Sequence, residues 1–275
     1  MTTDHPTDNK VPVLQAPTIT TLPADAAGAV IVSGSHGGLY PGYCAAKGQV
    51  RAVVLHDAGV GKDEAGIASL AYLQSLGVAA ATVASTSCRI GDSDDMLARG
   101  RVSHANLLAL NAGVVVGMEC RQAAEYLTQA PWQPTTPEPL EEARTEETVE
   151  GGRRRIILLD SASLVGPEDS GQIIVTASHG ALVGGKPAMA LRTDGYAAVF
   201  SDAGGGMEDA GYTRLPALDE RGIAAFTVSA ASARIGDARS IYMDGIISAA
   251  NRKAASMGCR VGEAARPLLR KWACL

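Results

Sequence analysis

One set of motifs occurs twice along the 275 residues, and this internal repeat restricts the fold more than any other feature. Ser35-His36-Gly37 returns as Ser178-His179-Gly180, and Asp57-Ala58-Gly59 returns as Asp202-Ala203-Gly204. Arg89-Ile90-Gly91-Asp92 returns as Arg234-Ile235-Gly236-Asp237. The offset is 143 at the first motif and 145 at the other two, so the later copy gains two residues between its first and second motifs. Aligned without gaps, residues 57–118 and 202–263 are identical at 26 of 62 positions. A period this long means a duplicated half, not a solenoid of short units.

Within each copy, short β-branched runs alternate with helical patterns. In the first copy, 29–33, 50–55 and 78–84 read as buried strands, with 11–14 as a weaker one. Residues 42–47, 63–76 and 94–112 read as helices. Strands that are apolar on every residue fit a sheet covered on both sides. The expected fold is α/β: two duplicated βαβ-type halves, each a mainly parallel sheet with helices on both faces. The halves are assigned to 1–127 and 156–275. Between them, 128–155 carries Pro131, Pro134, Pro137 and Pro139, then five glutamates, and reads as an exposed linker with a short helix near 140–145. Ile156 to Leu159 opens the second half as a strand.

Composition narrows the function classes. Aromatic residues make up 4% of a chain that is 46% hydrophobic, so the cores are aliphatic, and 31 glycines favour close backbone packing. A net charge of −5 argues against general nucleic-acid binding. The apolar runs are too short to span a bilayer, and residues 1–10 hold no secretory apolar region. Five cysteines with no CxxC spacing suit a reduced, cytoplasmic protein. A homo-oligomer is expected.

All three repeated motifs follow a strand, where open α/β sheets bind ligands. His36 is assigned proton transfer, since an imidazole titrates near neutrality. Ser35 and the amides of Gly37, Gly38, Gly59 and Gly61 would polarise a carbonyl oxygen. Arg89 and Arg234 offer planar forks for an anionic group. Asp57 or Asp92 would orient its basic neighbour, and Lys62 is a second proton-transfer or anion-binding candidate. Ser87, Ser178, His179, Asp202, Ser232 and Asp237 complete the expected binding set. Only the first copy carries Lys62, Ser85, Thr86, Cys88 and His104, where the second has Met207, Ala230, Ala231, Ala233 and Ala249. The first copy is therefore expected to be the chemically active one. Cys88 is a nucleophile only if its surroundings lower its pKa.

Several familiar motifs are missing: a P-loop, a GxGxxG fingerprint, HExxH and GxSxG. A strand ending in Ser-His-Gly followed by one ending in Asp-Ala resembles the His and Cys motifs of caspase-like peptidases. The resemblance covers two strand ends only, and Gly59 and Gly204 occupy the cysteine position, so it implies no peptidase nucleophile. The expectation is a hydrolase or lyase acting on a small, anionic, amide- or carboxylate-bearing metabolite in the cleft between the halves, with no cofactor. One alternative is a divalent-metal hydrolase using His36, Asp57, His179 and Asp202 as ligands. The other is a non-catalytic protein that binds an anionic metabolite.

Overall fold

The computed structural model describes residues 10–275. Residues 1–9, most of the stretch read above as lacking a secretory apolar region, lie outside the described residues. The first half contains β1 (Val13–Ala16), β2 (Val30–His36), α1 (Leu39–Lys47), β3 (Ala52–His56), α2 (Ser69–Ser75), β4 (Ala79–Val83), α3 (Ser93–Arg99), β5 (Val102–Ala105), α4 (Leu107–Asn111) and α5 (Cys120–Leu127). The second contains β6 (Arg144–Thr148), β7 (Arg155–Leu159), β8 (Ile173–His179), β9 (Ala197–Ser201), α6 (Arg214–Glu220), β10 (Ala224–Val228), α7 (Ala238–Asp244), β11 (Ile247–Ala250), α8 (Arg252–Ser256) and α9 (Ala265–Ala273).

The sheets have matching orders, β1-β2-β3-β4-β5 and β6-β7-β8-β9-β10-β11. In each, four neighbouring strands run parallel (β1 to β4, β7 to β10) and a final strand, β5 or β11, runs antiparallel. Val30, Ile31, Val32, Val53, Val54 and Leu55 are fully buried, as are their counterparts in β8 and β9. Each sheet is therefore sandwiched between two aliphatic layers. Helix caps repeat as well. Asp92 and Asp237 accept the amides of Asp95 and Ser240, and Asn106 and Asn251 accept those of Ala109 and Ala254.

Three local readings change. Residues 94–112 are not one helix: α3 ends at Gly100, the chain returns as β5, and α4 follows. Residues 63–76 begin as a tight 3-10 segment in which Asp63 (φ 54°) and Glu64 (φ 56°) are left-handed, and α2 starts only at Ser69. This bend carries the Asp63 carboxylate to Arg234 of the other half. Near 140–145 there is no helix. Instead β6 pairs antiparallel with β7 and covers what would be an open edge, its own outer side being charged. The preceding connection is tied to the first half, with Trp132 Nε1 donating to the carbonyl of Gln49 and Arg51 donating to that of Ala130. No helix among the described residues is long and apolar enough to cross a membrane.

Candidate functional site

The halves meet through their repeated loops, and the contacts are reciprocal. Lys62 N donates to the carbonyl of Ala230, and the equivalent Met207 N donates to that of Ser85, both at 2.8 Å. Arg89 bonds its own Asp92 (2.8 Å) and reaches across to Glu208 (2.7 Å). Arg234 likewise bonds Asp237 (2.8 Å) and reaches Asp63 (2.9 Å). Arg89 also lies 3.3 Å from Asp95, so it faces three carboxylates and Arg234 two, which leaves little of either fork for a substrate. Lys62 is also engaged across the interface, 2.9 Å from Asp244.

The other motif residues build the loops. Asp57 Oδ1 accepts the amides of Gly59 and Ser85, and Asp202 Oδ1 accepts those of Gly204 and Ala230. Ser87 and Ser232 each donate to a carbonyl three residues back and accept an amide fourteen residues on. The expected amide cradle is occupied internally. Gly37 N bonds the carbonyl of His56, Gly38 N bonds His36 Nδ1, Gly59 N bonds Asp57, and Gly61 N bonds the carbonyl of Gly59. Cys88 is buried and its thiol is pushed up to about 12, chiefly by burial, which opposes a nucleophilic role.

What the structure gathers is a different set. A cavity of about 150 Å³ lies between the halves, lined by Ser35 and His36 from one and by Ser178 and His179 from the other. The strand register breaks just before each histidine, between Val32 and His36 in β2 and between Val175 and His179 in β8. The third loop of each half then packs on the opposite histidine: a methyl group on Gly236 would stand 3.6 Å from His36 Cε1, and one on Gly91 would stand 3.4 Å from His179 Cε1. Of the expected site residues, these two serines and two histidines line the cavity, whereas Asp57, Lys62, Arg89, Asp92, Asp202, Arg234 and Asp237 do not.

The imidazoles are in a defined state. His36 Nδ1 accepts the amide of Gly38 at 3.1 Å, and His179 Nδ1 accepts that of Ala181 at 3.3 Å. An Nδ1 that accepts leaves the proton on Nε2. Burial, with His56 beside it, lowers His36 to about 4. Burial followed by the Arg214 charge lowers His179 well below its ordinary value. Both rings are therefore neutral at physiological pH and offer Nε2–H as a donor. A neutral imidazole in this tautomer polarises an oxygen; it does not receive a proton at Nε2. Ser35 Oγ is bonded to the Ile19 amide and to Thr18, and Ser178 Oγ accepts the Ala162 amide. Among the described residues, neither hydroxyl is bonded to an imidazole.

One buried charge at the cavity has no place among the expected site residues. Arg214, at the start of α6, is 4% exposed and stacks 5.0 Å from the Phe200 ring. Its Nε donates to the carbonyl of Ala181 (2.9 Å), and its Nη1 donates to those of Ala190 (2.5 Å) and Met189 (3.4 Å). Among the described residues it has no carboxylate partner, and Nη2 makes no hydrogen bond. Desolvation lowers it to about 10, so it remains a cation at neutral pH. In the aligned repeat it corresponds to Ser69, and that mismatch was the available signal.

Glu142, from the connection between halves, also lines the cavity, next to Ser161 and Asp160. Burial foremost, with the Asp160 charge, raises its carboxyl to about 7. The signal for it was weak, because it sits in a run of glutamates with no periodicity. Among the described residues, no three His, Cys, Asp or Glu side chains come together to hold a metal, so His36, Asp57, His179 and Asp202 do not form a ligand set. Comparisons with protein-family models, with curated proteins and with solved structures found no match.

Proposed function

We propose that this chain is an enzyme, a hydrolase or lyase, that acts on a small carboxylate-bearing metabolite in the cavity between its two halves. The observation that carries this reading is Arg214. A buried guanidinium bonded only to carbonyl oxygens lacks a counter-charge, and burying an unpaired charge is costly. An anion entering the cavity supplies that partner and can be held by a charge-assisted hydrogen bond from Nη2, the nitrogen left free. The volume is below the range usual for drug-sized ligands, which suits a small metabolite.

The remaining groups match acid–base chemistry better than covalent catalysis. The His36 and His179 Nε2–H groups are fixed donors for a carbonyl oxygen that gains charge in the transition state, and such preorganised donors contribute strongly in a desolvated site. Glu142, raised to about 7, exchanges a proton near neutrality, as a general acid or base must. No cavity serine has an activating imidazole, so water or an elimination, not an acyl-enzyme, fits these residues.

The test is a turnover screen of small amide- and carboxylate-bearing compounds, followed by kinetics of Arg214→Lys and His36→Asn. The expected result is turnover of at least one carboxylate by the natural protein and its loss in both variants. A carboxylate whose turnover is unchanged in Arg214→Lys would remove the proposal.

A further inference from the structure

Two opposite charges share the cavity without satisfying each other. Arg214 has carbonyl partners only. Glu142 has a hydroxyl and a second carboxylate as neighbours, and neither residue takes part in an ion pair among the described residues. Asp160 already accepts one amide on each oxygen, from Ala143 and Ala238, whereas no backbone amide is bonded to Glu142 among the described residues. Arg192, the other cation at the cavity, is exposed and donates to the carbonyl of Ser163. The two unpaired groups come from different parts of the chain, α6 and the inter-half connection.

From this arrangement we infer that the substrate is bifunctional: a small molecule with a carboxylate at one end and an amide or amine nitrogen at the other, the carboxylate on Arg214 and the N–H group on Glu142. The inference rests on the functional reading above and narrows its substrate class. Arg214 alone would accept any small carboxylate. Glu142 adds an acceptor that an N–H group can satisfy and that a second carboxylate meets as a like charge. A dicarboxylate is therefore disfavoured, and so is a plain fatty acid, which leaves the partly buried carboxyl with the Ser161 hydroxyl alone.

The experiment is calorimetric titration of the full chain with three matched sets of probes. Malonamate, succinamate and glutaramate carry both groups; propionate, butyrate and pentanoate carry the carboxylate alone; malonate, succinate and glutarate carry two carboxylates. The best amide-carboxylate should bind about tenfold or more tighter than its monocarboxylate and its dicarboxylate, the usual scale for one hydrogen bond to a charged group. In Glu142→Gln the margin over the dicarboxylate should shrink to about threefold or less, with monocarboxylate affinity unchanged. In Arg214→Met every carboxylate should weaken by about tenfold or more, with the circular dichroism spectrum unchanged. If that variant does not fold, Arg214→Lys, which keeps the charge and loses the Nη2 donor, reports the same contact. Equal affinity for the amide-carboxylates and their monocarboxylates overturns the inference and leaves the carboxylate site standing. Failure of every carboxylate to bind overturns the functional reading itself.

Discussion

Gly59 and Gly204 touch backbone to backbone at the centre of the interface: a Cβ on Gly59 would lie 2.9 Å from the Gly204 Cα, and one on Gly204 would lie 3.0 Å from the Gly59 Cα. Each glycine is also left-handed, with φ of 73° and 77°. These residues are equivalent in the repeat, so the contact marks a pseudo-twofold axis, and the reciprocal Lys62–Ala230 and Met207–Ser85 bonds flank it.

That contact yields the first prediction. Gly59→Ala and Gly204→Ala should each destabilise the protein by roughly 2–4 kcal/mol, the sum of left-handed strain and overpacking. Gly77 has the same φ of 77° and no neighbour within 4 Å, so Gly77→Ala isolates the strain. Denaturant midpoints of the three variants decide the matter. Equal losses at Gly59 and Gly77 would mean that the inter-half contact contributes nothing.

A second prediction separates the interface arginines from the cavity arginine. Arg89→Ala removes exposed pairs to Asp92 and Glu208 and a longer one to buried Asp95, which keeps Arg99 at 2.7 Å, so the loss of stability should be about 1 kcal/mol, and small carboxylates should bind as before. Arg214→Met should weaken that binding by about tenfold or more. Titration of both variants with the same carboxylate reads the difference directly, and weakened binding in Arg89→Ala at unchanged stability would return Arg89 to the site.

The contrast explains how far the sequence could be read. The duplication, the buried strands and the parallel order were legible because aliphatic periodicity and repeat spacing act locally. The motifs present in both copies, Asp57/Asp202 and Arg89/Arg234, drew the functional assignment, yet a pseudo-twofold interface needs the same group on each side. Self-complementary contacts are what two copies must both retain. The cavity charges break that symmetry. Arg214 stands opposite Ser69, and Glu142 belongs to a segment with no counterpart, so a search for matched residues passes over both. That His36 and His179 lie at one cavity was legible because their loops are doubled, but their tautomer depends on the Gly38 and Ala181 amides, which only the folded backbone brings into place.

The third prediction follows from those two imidazoles. Each ring has a folded-state pKa below the ordinary 6.5, His36 at about 4 and His179 well below its usual value. As pH falls through 6.5, the unfolded chain takes up protons that the folded chain refuses. Stability is therefore complete above pH 6.5 and declines between 6.5 and 4. Asparagine retains an acceptor near the Nδ1 position without titrating. The His36→Asn, His179→Asn double variant should show a flatter acid limb in urea midpoints from pH 4 to 7, with a residual slope from buried His56, which is lowered too. An unchanged limb would show that neither ring is held neutral.

Glu142 gives the opposite sign. Its folded-state pKa is raised from 4.5 to about 7, mainly by burial, so the folded protein holds a proton that the unfolded chain has already released. The side chain favours folding least at pH above 7, where it is ionised inside the cavity, and its penalty fades as pH falls from 7 to 4.5. Glu142→Gln removes the ionised form, so the variant should be more stable than the natural protein at pH 8 and equal to it at pH 4.5. Solvent screening at a carboxyl that is only partly buried limits the gain to about 1 kcal/mol or less, on the order of 2–4 °C in melting temperature. A bound amide-carboxylate should cancel the difference, because its N–H group adds a donor to the Ser161 hydroxyl and draws the pKa back down. Melting curves at pH 4.5 and 8, with and without the tightest probe, test both parts. No gain at pH 8 in the free variant would mean that the carboxyl is already solvated, and a gain that survives saturation with the probe would place the ligand's nitrogen away from Glu142.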